Sequence, residues 1–125
     1  MDIEKQILYW KNSSSSDVET AELLLKSGKI LEGLFFCHLA AEKMLKALIV
    51  NATHDHPPKT HDLEYLLQLS DETLEEKQTE LLRVLMVYQL EGRYPKMYPK
   101  KPDTERAAEI LNETKNLLQC LDKMF

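Results

Sequence analysis

The segment Arg93–Lys101, with the sequence RYPKMYPKK, holds the residues best suited to binding a phosphorylated ligand. It contains four cations and no acid, whereas the whole chain has a net charge of −5, so the rest of the chain carries −9. Cations bind phosphate, arginine does so through a bidentate fork, and aromatic rings stack on bases. Alternatively, these cations only complement the carboxyl end of the preceding helix. The side chains concerned are those of Arg93, Tyr94, Lys96, Tyr98, Lys100 and Lys101.

Polar residues also interrupt the most apolar stretch, residues 30–50 (ILEGLFFCHLAAEKMLKALIV). His38, Glu42 and Lys46 recur every four residues, so on a helix they form one stripe, with Lys43 beside it. One interpretation is a simple ion pair between Glu42 and Lys46, one helical turn apart. The other is a polar surface that faces a ligand or a second subunit. A histidine on an apolar face is usually buried and hydrogen-bonded, which we predict for His38.

The loop histidines are weaker candidates for a site. His54, His56 and His61 lie near Asp55 and Asp62, and all five are of types that ligate metals. However, the HxH pair falls in a proline-rich loop and lacks the i, i+4 spacing of helical zinc pairs. The sequence therefore predicts no metal site here, and it predicts a local structural role for His61 in the first turn of a helix.

Motifs for nucleophilic catalysis and for glycine-rich nucleotide loops do not occur. The chain has no GxSxG, GxxxxGK[ST] or GxGxxG, so a phosphate would be held by side chains. Cys37 and Cys120 form no CxxC or Cys/His pattern, and each falls on an apolar helical face. We therefore predict buried, reduced thiols, and no cofactor.

Composition favours one all-α domain across residues 1–125. With 43% apolar residues, three glycines and five prolines, and no strand-like alternation, an antiparallel up-and-down bundle of four long helices plus one short helix is expected. The stretch 30–50 is predicted to be the buried central helix. In a membrane span Glu42, Lys43 and Lys46 would each cost roughly 2.5–3.5 kcal/mol. The first residues, MDIEKQ, lack the features of a secretory signal, so we predict a cytoplasmic protein.

Helical periodicity and capping residues predict where the helices begin and end. The first helix is expected to continue through Ser13–Ser16, the alternative being a break there with Asp17 as N-cap. A loop is predicted at 51–60, with Thr60 capping the short helix, and the next helix is predicted to start at a capping box of Thr73 and Glu76. The expected ranges are 3–27, 30–50, about 61–69, 73–90, and a last helix that begins at Asp103 or Thr104.

Three blocks of the sequence resemble those of HEPN domains. These blocks are HLAAEKMLKAL in the central helix, THDL at the short helix, and EGRYP after a long helix, in the family's order over about residues 5–120. The resemblance implies a bundle of four long helices with a short extra one, usually a homodimer with a ligand or active-site cleft between the subunits. It also implies a partner protein, because HEPN proteins are often encoded next to a minimal nucleotidyltransferase. Some of these pairs are toxin–antitoxin modules. Other members are taken to bind nucleotides.

Ribonuclease members of that family are recognised by an arginine followed four to six residues later by a histidine. Arg93 matches the arginine, but Tyr98, Pro99 and Lys100 occupy the later positions and no histidine follows Arg93 anywhere. The missing imidazole is the acid or base best suited to neutral pH, and such a group contributes roughly 10²- to 10⁴-fold in rate. The resemblance therefore implies a site without ribonuclease activity.

We predict a noncatalytic, homodimeric module that binds a nucleotide, RNA or another phosphorylated ligand. The predicted ligand-binding residues are Arg93, Tyr94 and Lys96, together with Glu42, Lys43 and Lys46, which match the EK..K pattern of the family's central helix. Two alternatives remain open. One is a metal-independent ribonuclease toxin that uses His61 or His38 as a substitute base. The other is an interaction partner of a nucleotidyltransferase, an antitoxin-system component modified on a tyrosine such as Tyr98.

Overall fold

The computed structural model describes residues 1–125 and contains helices and no strand. This confirms the predicted all-α bundle of four long helices and one short one. A short 3-10 turn, Pro95–Met97, lies within the basic segment. The helices are α1 (Ile3–Lys26), α2 (Ile30–Thr53), α3 (Leu63–Leu69), α4 (Glu76–Val87) and α5 (Thr104–Asp122).

Helix α2 is the central element of the bundle. It contacts all four other helices, and around it α1 contacts α5, α5 contacts α4, and α4 contacts α3. Fifteen of its 24 residues are buried, so apolar partners cover most of its surface. The predicted central helix is thus confirmed. No helix of the chain combines the length and the apolar character that crossing a bilayer requires.

Helix α1 runs without interruption through the four serines, so the alternative break at Ser13–Ser16 is wrong. Ser14 is fully buried, and its hydroxyl donates to the carbonyl oxygen of Ala40 at 2.7 Å. Three residues later Asp17 pairs with the Lys43 ammonium at 2.7 Å. The small serine lets α1 and α2 approach closely, and its hydroxyl group is satisfied across the interface.

The connection between α1 and α2 requires glycine. Gly28 has a φ of +79°, its N–H donates to Leu25, and the N–H of Lys29 donates to Leu24, which together make a Schellman motif. This three-residue connection turns α2 back along α1. Gly33 allows the close approach that follows, because a Cβ atom there would lie 2.7 Å from Cδ2 of Leu25.

Helix α3 begins two residues later than predicted. Asp62, and not Thr60, is the N-cap, since its carboxylate accepts from the N–H of Tyr65 at 3.2 Å. The Thr60 hydroxyl oxygen instead accepts from the N–H of Asp62. As a result His61 precedes the helix, and its side chain is free to reach α2.

The other helix ends are corrected by one turn or less. The capping box of α4 consists of Glu75 and Gln78, in place of Thr73 and Glu76. Helix α4 ends at Val87 instead of residue 90, and α2 extends three residues past its predicted end before a left-handed residue closes it. At α5, the predicted cap is confirmed as Asp103, whose carboxylate accepts from the N–H of residue 106 at 2.7 Å.

The two cysteines are free thiols in different surroundings. Cys37 is fully buried, as predicted, and burial raises its pKa to about 12. Cys120 is only half-buried, which corrects the prediction that both thiols are buried.

Candidate functional site

Glu42 lies at the centre of a buried polar cluster on α2. Its side chain is almost inaccessible, and one carboxylate oxygen, Oε2, lies 3.0 Å from Nζ of Lys46. The other oxygen, Oε1, lies 2.8 Å from Nδ1 of His61 and 3.5 Å from Nε2 of His38. The predicted Glu42–Lys46 pair is therefore present, and two histidines extend it. We call these four residues the Glu42 cluster.

His61 connects the Glu42 cluster to the segment that follows α4. Its Nδ1 faces Glu42, and its Nε2 lies 3.0 Å from Oε2 of Glu91, two residues before Arg93. An imidazole with a carboxylate on each nitrogen can donate to both only as an imidazolium. The predicted local role of His61 in a helix first turn is therefore wrong. The residue links two elements that are distant in sequence, and it is half-buried at the outer end of the cluster.

His38 forms the inner end of the cluster and is fully buried. Neither of its ring nitrogens forms a hydrogen bond, so the predicted burial is confirmed and the predicted hydrogen bonding is wrong. Burial lowers the pKa of His38 to about 4, a shift that the Glu42 carboxylate opposes and His61 reinforces. The ring is consequently neutral at pH 7, and a lone pair remains available on one nitrogen.

Arg93 anchors the basic segment to the end of α4. Its Nη1 donates to the carbonyl oxygens of Val87 and Gln89, each at 3.1 Å, and its Nη2 donates to that of Met97. The structure thus supports the interpretation that this cation complements the carboxyl end of a helix. A guanidinium has five N–H donors, so two remain free, and no acid pairs with this side chain.

Four of the five remaining candidate residues of the basic segment face solvent, and the fifth, Tyr98, is half-buried. Tyr94 is 75% exposed, and Lys96 is exposed without an ion pair. Lys100 and Lys101 are likewise exposed and unpaired. These side chains are available to a ligand.

The predicted residues of the central helix are already paired. Lys43 points to Asp17 on α1, and Lys46 points to Glu42. The structure pairs Glu42 with Lys46, but the side chains of Lys43 and Arg93 pair with neither of them. The connection to the basic segment runs through His61 and Glu91 instead.

Comparison with protein families assigns the fold. A family model described as HEPN domain matches residues 7–124 of the chain. The chain belongs to the HEPN family. This HEPN fold is also similar to the crystal structure of TT1696 from Thermus thermophilus, with a TM-score of 0.81 and 23% sequence identity over 96% of this chain and 98% of that one. A search of curated protein sequences finds no match.

Glu91 was not predicted as part of the site of this HEPN domain, and His61 was predicted only as a substitute base in the ribonuclease alternative. His61 and Glu91 fall in the THDL and EGRYP blocks that carry the family resemblance, which was the available signal. Their pairing was not foreseen because they come from different elements. The loop residues His54 and His56 lie exposed. Instead, the ligating atoms of His38, Glu42 and His61 all lie within 4.8 Å of one another.

Proposed function

We propose that this HEPN domain, spanning residues 1–125, is a noncatalytic module that binds a nucleotide or another phosphorylated ligand as a homodimer. One observation carries the proposal. The segment Arg93–Lys101 is an exposed set of four cations without ion pairs, held in place by the hydrogen bonds of Arg93. A preorganised loop loses less conformational entropy on binding than a mobile one.

Phosphate contacts are assigned to the basic segment. The two free N–H donors of Arg93 and the ammonium of Lys96 supply charge-assisted hydrogen bonds, and the exposed ring of Tyr94 supplies a stacking surface. Because Lys43 and Lys46 are already paired with acids, we assign them, with Glu42, to the structure that supports the binding surface and not to direct contacts with the phosphate.

The homodimer is supported by apolar side chains around Arg93. Val87 and Tyr94 are exposed, as is Met97, and the guanidinium binds the main chain of Val87 and Met97. Exposed apolar clusters mark interaction surfaces. In the proposed dimer Val87 and Met97 are buried against the partner subunit, while Tyr94 stays accessible, so the two basic segments line one cleft. A nucleotidyltransferase partner, a toxin–antitoxin role and a cytoplasmic location stay predictions that rest on the sequence and the family.

Titration of the purified protein with ATP, GTP and short RNA tests the proposal. We expect binding by the wild type and an affinity at least about tenfold weaker for Arg93→Ala and for Lys96→Ala. A hydrogen bond to a charged group is worth about 1.5–3 kcal/mol, and tenfold is 1.4 kcal/mol. Lys96→Ala is informative because Lys96, unlike Arg93, makes no contact that holds the loop. Isothermal titration calorimetry measures both variants.

The matched control is Lys77→Ala. Lys77 is an exposed, unpaired lysine in the first turn of α4, at the opposite end of the helix that leads to the basic segment. Its removal is expected to leave the affinity unchanged. The proposal fails if the wild type binds none of the three ligands, or if all variants bind equally.

A second candidate function, the metal-independent ribonuclease, is favoured by the position of His61. Its imidazole lies 3.0 Å from Glu91, close in sequence to Arg93, where it can serve as a general acid or base. If this candidate holds, the protein cleaves RNA in EDTA, and both His61→Gln and Arg93→Ala lose that activity. Intact RNA after incubation with the wild type rules it out.

A further inference from the structure

The Glu42 cluster contains more ligating atoms than its hydrogen bonds use. His38 is fully buried without a hydrogen bond, although one ring nitrogen lies 3.5 Å from Oε1 of Glu42. A buried polar group without a partner is rare, because its hydrogen bonds to water are lost on folding and no hydrogen bond within the protein replaces them. The same carboxylate oxygen faces Nδ1 of His61 at 2.8 Å. A nitrogen of each histidine thus lies close to the same carboxylate oxygen, and the three ligating atoms all lie within 4.8 Å of one another.

We propose that His38, Glu42 and His61 bind a divalent transition-metal ion, with Zn²⁺ as the best chemical match. Two imidazole nitrogens and one carboxylate oxygen are a donor set that zinc accepts, with a fourth position left for water. Bonds of about 2.0–2.1 Å in tetrahedral geometry place neighbouring ligand atoms about 3.3 Å apart. The two separations from Oε1 of Glu42, 2.8 and 3.5 Å, lie on either side of that value, and the two histidine nitrogens lie within 4.8 Å of each other. Small side-chain rotations therefore suffice to admit the ion.

The surrounding residues orient the ligands in the way that metal sites require. A metal-bound histidine usually donates its other N–H to a carboxylate, and Glu91 lies 3.0 Å from Nε2 of His61. Lys46 occupies Oε2 of Glu42 and leaves Oε1 to the ion. The ion would take the place of the hydrogen bond between Nδ1 of His61 and Oε1 of Glu42.

The position of the cluster fits a specific and accessible site. His38 and Glu42 lie one turn apart on the buried helix α2, which fixes their spacing. His61 is half-buried, so an ion can enter from its side. With neutral histidines, Glu42 and Glu91 outweigh Lys46 by one negative charge, which favours a cation. The inference does not depend on the proposed phosphate site.

Spectroscopic titration with Co²⁺ tests the site. Tag-free protein, first treated with EDTA and then exchanged into chelator-free buffer, is expected to bind one Co²⁺ per chain with the visible bands of a tetrahedral complex, and Zn²⁺ should displace it. His61→Gln is expected to bind at least about tenfold more weakly, and Glu91→Ala about tenfold more weakly, because it removes the acceptor that orients His61. Since Gln for buried His38 risks misfolding, the half-buried His61 is the primary variant, with helix content checked by circular dichroism.

His56→Gln is the matched control, because His56 is an exposed histidine of the same loop, five residues earlier. It should bind Co²⁺ like the wild type. The inference is overturned if the wild type binds no Co²⁺, if His61→Gln binds as tightly as the wild type, or if thiolate bands show that a cysteine is the ligand. Phosphoryl-ligand binding measured in EDTA is independent, so failure of one proposal is distinguishable from failure of the other.

Discussion

Replacing Glu42 with alanine should lower the free energy of unfolding by about 3–5 kcal/mol, since breaking a buried ion pair leaves an uncompensated charge. The stranded charge is the ammonium of Lys46, which is only 7% exposed and has no other acid within reach. His61 loses one partner as well, but it is half-buried and keeps Glu91. Urea denaturation at pH 7, with the midpoint and slope fitted separately, measures the change.

Two comparisons separate this effect from simple loss of a side chain. The double variant Glu42→Leu with Lys46→Met removes both charges and should recover most of the lost stability, because an apolar pair needs no partner. Glu19→Ala removes an exposed, unpaired glutamate of α1 and should change stability by no more than about 0.5 kcal/mol. A Glu42→Ala variant as stable as Glu19→Ala would show that the cluster does not depend on its carboxylate.

Acidification of the metal-free protein should remove about 3 kcal/mol of stability through His38 alone, at 1.36 kcal/mol for each pKa unit. Burial lowers the pKa of His38 from 6.5 to about 4 in the folded state. Between these two values the unfolded chain binds more protons than the folded one. The stabilisation is therefore complete above about pH 6.5 and is lost as the pH falls toward 4.

The variant His38→Phe isolates this contribution. Phenylalanine is similar in shape and does not titrate, while every other ionisable group is the same in both proteins. The difference in free energy of unfolding between wild type and variant, measured in urea with EDTA at pH 7 and at pH 4.5, should shift in favour of the variant by more than about 2 kcal/mol. A difference that is the same at both pH values would contradict a neutral His38.

The bundle was predictable because the apolar residues that each helix buries recur in the sequence with helical spacing. The stretch 30–50 is so rich in apolar residues that only a central position can bury it, and the stripe of α1 stays in phase through its serines. The helix ends were predicted less well. Two nearby residues, Thr60 and Asp62, are both suitable N-caps for α3. Which of them caps the helix depends on the backbone conformation of the loop before it.

The site was predictable only within one helix. The spacing of Glu42 and Lys46 predicts their pair, since one turn of α2 brings them together. The bridge from Glu42 through His61 to Glu91 depends on how α3 and the end of α4 pack against α2. Helical periodicity does not encode that packing. The same limit applies to Lys43, which pairs with Asp17 across the α1–α2 interface.

Chemical-shift mapping during a titration with ATP tests most directly whether a phosphorylated ligand binds at the basic segment beside the Glu42 cluster. We expect saturable shifts of the backbone amides of the non-proline residues of Arg93–Lys101 and of the neighbouring residues His61 and Glu91, and a much weaker response in Lys96→Ala. Absence of shifts, or shifts confined to the distant end of α4 around Lys77, would contradict it.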